Sequence, residues 1–186
     1  MIFARLRAKS YTSSVLTALT WMPVAIFFVD HGYSYGVISG RSMQPTFNPD
    51  SSMLKKDIVL LDKWSTTDHQ FERGQVVTLI SPINPKCIIT KRILALPGDR
   101  VQSLRNKNEW VSIPEGHVWV EGDEAFHSRD SNSFGPVPIA LINAKVTHIL
   151  WPFSRFGPVE KKSVNKDRVQ MNVFRPGVDI EPSRQI

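Results

Sequence analysis

Two short segments of this chain could perform acyl chemistry together. The first, Ser39-Gly40-Arg41-Ser42-Met43-Gln44-Pro45-Thr46, follows a short apolar run and leads into a turn, which would present the Ser42 hydroxyl as a nucleophile. Gly40 would let the backbone approach a bound substrate closely, and Pro45 would stiffen the exit. Taken alone, these residues also fit an ordinary turn with an exposed serine, because small polar residues favour turns for structural reasons. The second segment, Ile88-Ile89-Thr90-Lys91-Arg92-Ile93-Leu94-Ala95-Leu96-Pro97-Gly98-Asp99, reads as a strand ending in a turn. A period of two puts Lys91 on the face of Ile89 and Ile93, with Arg92 pointing the other way. Among aliphatic side chains an ammonium is disfavoured. Lowering a lysine from roughly 10.4 to about 8 takes on the order of 3 kcal/mol of desolvation, an ordinary amount for a buried lysine. The neutral amine could then take a proton from a serine, which an arginine could not do. The alternative for Lys91 is a side chain snorkelling from a strand edge.

A third segment, Gly116 to Ser133, reads as a strand running into the polar loop Gly122-Asp123-Glu124-Ala125-Phe126-His127-Ser128-Arg129-Asp130-Ser131, where hydroxyls and carboxylates can orient other groups. His127 and Asp130 raise a Ser-His-Asp arrangement as a rival to the Ser-Lys one. It ranks second because it leaves the lysine segment unexplained. The lone Cys87 cannot close an intrachain disulfide and is expected as an apolar filler near a strand. There is no Cys/His cluster with metal-ligand spacing, so neither a metal nor another cofactor is expected.

The elements that would position these residues fall into four stretches: a basic segment 1–12, a membrane anchor 13–30, a catalytic β domain 31–159 and a charged tail 160–186. The chain has 186 residues, 41% of them hydrophobic, enough for one compact domain and a short appendage. Ser10 to Val29 carries no charge, and about 20 helical residues span a bilayer core. Pro23 lies inside this run, a break that membrane helices tolerate. Arg5, Arg7 and Lys9 precede it while Asp30 and His31 follow, a bias that keeps the amino end inside and sends the rest outward. A cleaved secretory signal is the alternative, although Val29-Asp30-His31 offers no small-x-small cleavage site. The Arg, Lys, Ser and Thr content before Asp30, with no acid, is also that of a mitochondrial import signal. The net charge of +6 is spread without a basic run, so nucleic acid is not expected as a partner.

Beyond Tyr35 the chain turns to short β-branched runs separated by Gly, Pro, Asn and Asp, the pattern of an antiparallel, mainly β domain. Expected strands are Gly36 to Ser39, Ile58 to Asp62, Gln75 to Ile80, Cys87 to Leu96, Arg100 to Leu104, His117 to Glu121 and Lys145 to Trp151. Glu160 to Ile186 is charged, lacks periodicity and contains Pro176 and Pro182, so it is expected as a mobile tail in which Val173-Phe174 could add an edge strand.

In order, SGRSMQPT, KRILALPGD and GDEAFHSRDS resemble the boxes SGxSMxPT, KRxxxxPGD and GDxxxxSxDS of the type I signal peptidase family, over roughly Met22 to Gly157. Within it, Ser128-Arg129-Asp130-Ser131-Asn132-Ser133-Phe134-Gly135-Pro136 and Trp151-Pro152-Phe153-Ser154-Arg155-Phe156-Gly157 are most similar to the mitochondrial inner membrane branch. The resemblance implies a signal-peptidase-like β domain behind one N-terminal transmembrane helix, with Ser42 as nucleophile and Lys91 as general base. It places on Ser128 the hydroxyl that orients the amine and on Asp130 the carboxylate that braces the loop, with structural roles for Arg92 and Asp123. Bacterial relatives often carry a serine where this chain has Gly40, so an oxyanion would rest on backbone N–H groups, including that of Ser42. Relatives of the endoplasmic reticulum carry histidine at the base position, and Lys91 argues against that branch. The implied partners are precursor protein substrates cut beside small residues, a sister catalytic subunit and the lipid bilayer of the mitochondrial inner membrane, with the catalytic domain facing the intermembrane space. Alternatives are a non-catalytic subunit that stabilises the sister enzyme, a self-cleaving repressor-type Ser-Lys protease, and a tethered adaptor without chemistry.

Overall fold

The computed structural model describes residues 2–49, 56–106, 109–165 and 167–171, with side chains from residue 13 onward. Helix α1 (Ile2–His31) contains Pro23, and its stretch Ser13–His31 has a mean hydropathy of 1.5, long and apolar enough to cross a membrane. Its large side chains find no core: Leu16 is 62% exposed, Trp21 64% and Phe28 57%. The hydroxyls of Thr17 and Thr20 donate to the carbonyls of Ser13 and Thr17, so the helix satisfies these polar groups itself, as a lipid environment requires. Gly32 ends the helix, its N–H capping the Phe28 carbonyl.

Among the described residues eleven strands follow: β1 (Tyr33–Val37), β2 (Ile58–Asp62), β3 (Val76–Ile80), β4 (Ile88–Ala95), β5 (Arg100–Gln102), β6 (Trp110–Ser112), β7 (His117–Glu121), β8 (Val137–Pro138), β9 (Ile142–Trp151), β10 (Gly157–Pro158) and β11 (Val169–Gln170). A short helix, α2 (Ser131–Phe134), separates β7 from β8. The main sheet runs β1-β2-β9-β3-β4-β7-β8 with β10 on β9, and every pairing in it is antiparallel. The second sheet is β11-β5-β6. Register shifts between β2 and β9, β3 and β9, and β4 and β7 add residues to one strand of a pair, which bends and twists a sheet.

Ile38, Met43, Phe47, Val59, Leu61 and Val146 form one core, under β1, β2 and the turn that follows β1. Val77, Leu79, Ile93, Val118, Val120 and Val137 form another, across β3, β4, β7 and β8. The small sheet packs Val101, Ile113 and Val169 against Trp119 and Ala95.

The expected strands stand close to their predicted places, with β2 and β7 at the predicted limits. Two expectations differ. Cys87 is exposed beside Asn84 rather than filling a core, because it stands at the turn end of the β3–β4 hairpin, where its carbonyl accepts from the Ser81 N–H. Residues 160–165 and 167–170 do not hang free: Val164 packs against the small sheet's core, Arg92 donates to the Glu160 carbonyl and Val169 pairs with Val101. Val173-Phe174 lies outside the described residues.

Candidate active site

Ser42 sits in the turn after β1, and that turn is pinned on several sides. Met43 and Phe47 are buried in the core below it, and the Phe47 N–H bonds the Met43 carbonyl. Asn48 donates from Nδ2 to the carbonyls of Ile38 and Gly40, and its side chain and that of Asp57 exchange bonds with each other's backbone N–H. Arg155 closes this corner by donating to Asp57 Oδ2 at 2.6 Å and to the Thr46 carbonyl. Gly40 has a φ of +91°, with open space where a Cβ would stand, so backbone conformation rather than crowding favours glycine there. The Ser42 N–H makes no hydrogen bond among the described residues, which leaves it available to an incoming oxygen.

Lys91 lies on β4 with Val77 directly opposite, and the alternation places Ile89 and Ile93 on the same face. It is 3% exposed. Its Nζ donates to Ser128 Oγ at 2.9 Å. Burial pulls the Lys91 amine below its ordinary value, and the Asp130 carboxylate partly opposes the fall. Arg92 points to the other face, where it too is buried: Nε and Nη2 grip Asp123 at 2.9 and 2.8 Å, and Nη1 donates to the Gly74 carbonyl at 2.6 Å. Thr46 also donates to Asp123, so one carboxylate joins the serine turn to β4.

The loop after β7 joins the two halves. Ser42's carbonyl accepts from the Glu124 N–H at 3.1 Å. A Cβ on Gly122 would stand 2.4 Å from that carbonyl oxygen and 2.4 Å from Ser128 Oγ, so only glycine lets the serine turn, the loop and the lysine's partner meet. Asp130 caps α2, accepting from the Asn132 N–H and Nδ2 at 3.1 Å each through Oδ1, while Oδ2 accepts from the Gly122 N–H at 3.1 Å.

Ser42 and Lys91 line one cleft of about 400 Å³, whose walls run from Tyr35 to Gly40 and from Ile88 to Lys91 over a floor of Met43, Val59, Leu61 and Thr78. They share no hydrogen bond in this state; the amine rests on Ser128. The structure therefore groups four sequence-predicted residues, with Lys91 bonded to Ser128 and Asp130 braced in the same loop. His127 is exposed and bonds neither Asp130 nor Ser42 among the described residues, which leaves the Ser-His-Asp alternative without its geometry. Gly122, Asn48 and Asp57 were missed as positioning residues. Gly122 had a signal in its glycine at a strand end; the Asn48–Asp57 exchange across a loop had none. Among the described residues no group of His, Cys, Asp and Glu could hold a metal ion.

The chain is similar to known proteins over most of its length. The family model described as signal peptidase, peptidase S26, matches residues 8–108 and 102–151. Mitochondrial inner membrane protease subunit 2 of Schizosaccharomyces pombe is 49% identical over 163 residues, covering 87% of this chain and 89% of the relative. Its Mus musculus counterpart is 44% identical over 158 residues, covering 85% and 88%. Mitochondrial inner membrane protease subunit 1 of Mus musculus is 38% identical over 130 residues, covering 67% and 75%.

Proposed function

We infer the working parts of a chain that belongs to the signal peptidase family, peptidase S26, and is a serine peptidase that removes signal sequences. Ser42 is the nucleophile and Lys91 the general base. One observation carries this assignment: a lysine amine whose hold on its proton is weakened by burial opens onto the same cleft as a serine whose turn is fixed from below. In the resting state Ser128 holds the amine, which turns toward the shared cleft to take the Ser42 proton.

The neutral Lys91 amine takes the Ser42 proton as the oxygen attacks the scissile carbonyl, and backbone donors including the Ser42 N–H hold the developing oxyanion. The ammonium so formed protonates the leaving amine, which restores the base. Water then attacks the acyl-enzyme while Lys91 accepts its proton and passes it to the departing Ser42 oxygen, which restores both groups. Ser128 orients the amine throughout, and Asp130 holds the Ser128 loop and steadies the ammonium when it forms. The substrate lies extended between Tyr35–Gly40 and Ile88–Lys91, adding to the free edge of β1, with small side chains beside the cut facing the apolar floor.

The relatives are named mitochondrial inner membrane protease subunits 2 and 1, which supports a setting at that membrane beside a sister catalytic subunit; the substrates in this reading are precursors delivered to the mitochondrial intermembrane space. Helix α1 is the single anchor of that arrangement, with the catalytic domain on the intermembrane-space side. The test is Ser42→Ala in an otherwise intact complex. Precursor processing assigned to this subunit should stop while the complex still assembles; normal cleavage would mean that the chain only stabilises its partner.

A further inference from the structure

The segment after β10 carries none of the catalytic boxes, yet one of its side chains ends in the polar network behind the site. Pairing of β11 with β5 buries Val169 beside Val101 and so delivers the preceding residue, Arg168, to the end of β7. Arg168 donates from Nη2 to Glu121 Oε1 at 2.8 Å, from Nη1 to Oε2 at 3.2 Å, and to the Gln102 carbonyl at 3.3 Å. Glu121 is only 8% exposed, and its Oε1 also accepts from Asn132 Nδ2 and Trp119 Nε1, each at 2.9 Å. The same Asn132 amide reaches Asp130 Oδ1 at 3.1 Å. A chain of bonds thus runs from the C-terminal segment through Glu121 and Asn132 to the carboxylate that braces the Ser128 loop.

The charges explain why that chain needs its far end. Lys91 and Arg92 lie on β4, Glu121 on β7, Asp123 and Asp130 on the following loop. Arg92 and Lys162 both pair with Asp123, which leaves Arg168 as the cation paired with Glu121. A buried carboxylate that loses its cation is strongly destabilised where it stands, so it turns away or leaves an uncompensated negative charge next to the network.

We propose that Arg168 is a positioning residue of the peptidase reaction, acting through Glu121 and Asn132 to hold Asp130 and Ser128 in the arrangement that presents the Lys91 amine. This rests on the Ser42–Lys91 assignment above. It gives the C-terminal segment a task in catalysis as well as in packing, although Arg168 touches no reacting atom.

The experiment measures kcat and KM against pH for the full chain in detergent, with the subunits that copurify, cleaving a peptide that spans a processing site. Arg168→Gln should lower kcat roughly 10- to 100-fold, the scale of a slightly misplaced catalytic group, with KM changing less. It should also move the acid limb of kcat/KM to higher pH, because the unpaired Glu121 charge adds to that of Asp130 in favouring the Lys91 ammonium. The double variant Arg168→Gln, Glu121→Gln should return the limb toward its original position, and Arg168→Lys should recover part of the rate. A purely structural arginine would lose activity only in proportion to the folded fraction, with the limb in place, and that result overturns the proposal, as does an Arg168→Gln variant of unchanged kcat. If Arg168→Gln does not accumulate, the Lys and double variants are judged by the same two readouts. Ser42→Ala run alongside separates the failures: residual activity there overturns the Ser-Lys assignment itself.

Discussion

At Lys91 the demands of folding and of chemistry pull in opposite directions. A lysine that is 3% exposed on a β-sheet face costs stability as long as the unfolded chain keeps it charged, because its folded form binds the proton less tightly. Lys91→Met keeps the aliphatic volume and removes that penalty. It should abolish cleavage while raising the unfolding free energy by about 1 kcal/mol at pH 7, a gain that shrinks as the pH rises toward the ordinary lysine value. A wild type more stable than the Met variant at neutral pH would show that the amine is not strained by burial. The same burial sets the pH profile: kcat/KM should rise with pH along a limb below that of a free lysine. Sequence made these residues legible only jointly, since a serine after a glycine turn and a lysine among isoleucines each also fit a role without chemistry. Neither stated that the resting amine leans on Ser128, a placement that came only from the family resemblance. That contact depends on a loop 37 residues further along, and no local periodicity encodes it.

Elements become a site here through close approach and buried charge. Gly122 is where the Ser42 carbonyl and the Ser128 hydroxyl come within 2.4 Å of the position a Cβ would occupy. The carbonyl is backbone tied to Glu124 and cannot give way cheaply, so Gly122→Ala should cut kcat by roughly 100-fold through displacement of the two loops, with substrate binding less affected. Assays of the purified variant at saturating substrate would reveal this, and a wild-type rate would mean that the loops move freely. Asp123 ties the serine turn to β4 on the other side. Burial alone would push its carboxyl up, but bonds from Arg92, Thr46 and Lys162 outweigh that and hold it below its ordinary 3.8. The folded state therefore binds this proton less readily than the unfolded chain. The stability it contributes is complete above the ordinary value and is lost as the pH falls through the folded one. Melting temperatures of the wild type should accordingly drop below about pH 4, and Asp123→Asn, less stable at pH 7 by about 3–5 kcal/mol with Arg92 left unpaired, should show a shallower acid drop. The strands around these loops were legible where alternating β-branched residues run five or more positions, as in β2, β4 and β7. The two- and three-residue strands β6, β8, β10 and β11 are too short to carry a period. The segment through Arg168 was expected as a tail because its order comes from partners elsewhere, Glu121, Val101 and Asp123, rather than from its own composition.

Taken as a whole, the molecule joins a helix that lacks a core of its own to a domain that has three. Charge-free composition made the apolar stretch of the helix legible in the sequence, because a bilayer selects on length and hydropathy, whereas α1 itself begins at Ile2, well before that stretch. Contacts between the two parts are few: the Gly32 N–H bonds Phe28, Lys63 reaches the Val29 carbonyl, and β1 begins at Tyr33. The buried clusters draw their residues from Ile38 onward. Removing residues 1–31 should therefore leave the β domain folded, with a melting temperature close to that of the full chain in detergent, and should move it from the carbonate-resistant membrane pellet to the supernatant. It should also slow processing of membrane-inserted precursors much more than cleavage of a soluble peptide. The cleft and its Ser42–Lys91 pair survive the truncation, whereas the confinement that brings enzyme and precursor together at one surface does not. Retention of the truncated chain in the carbonate pellet would place the membrane attachment on the β domain itself, and an equal loss of both activities would show that the helix supports the site rather than only holding it at the bilayer.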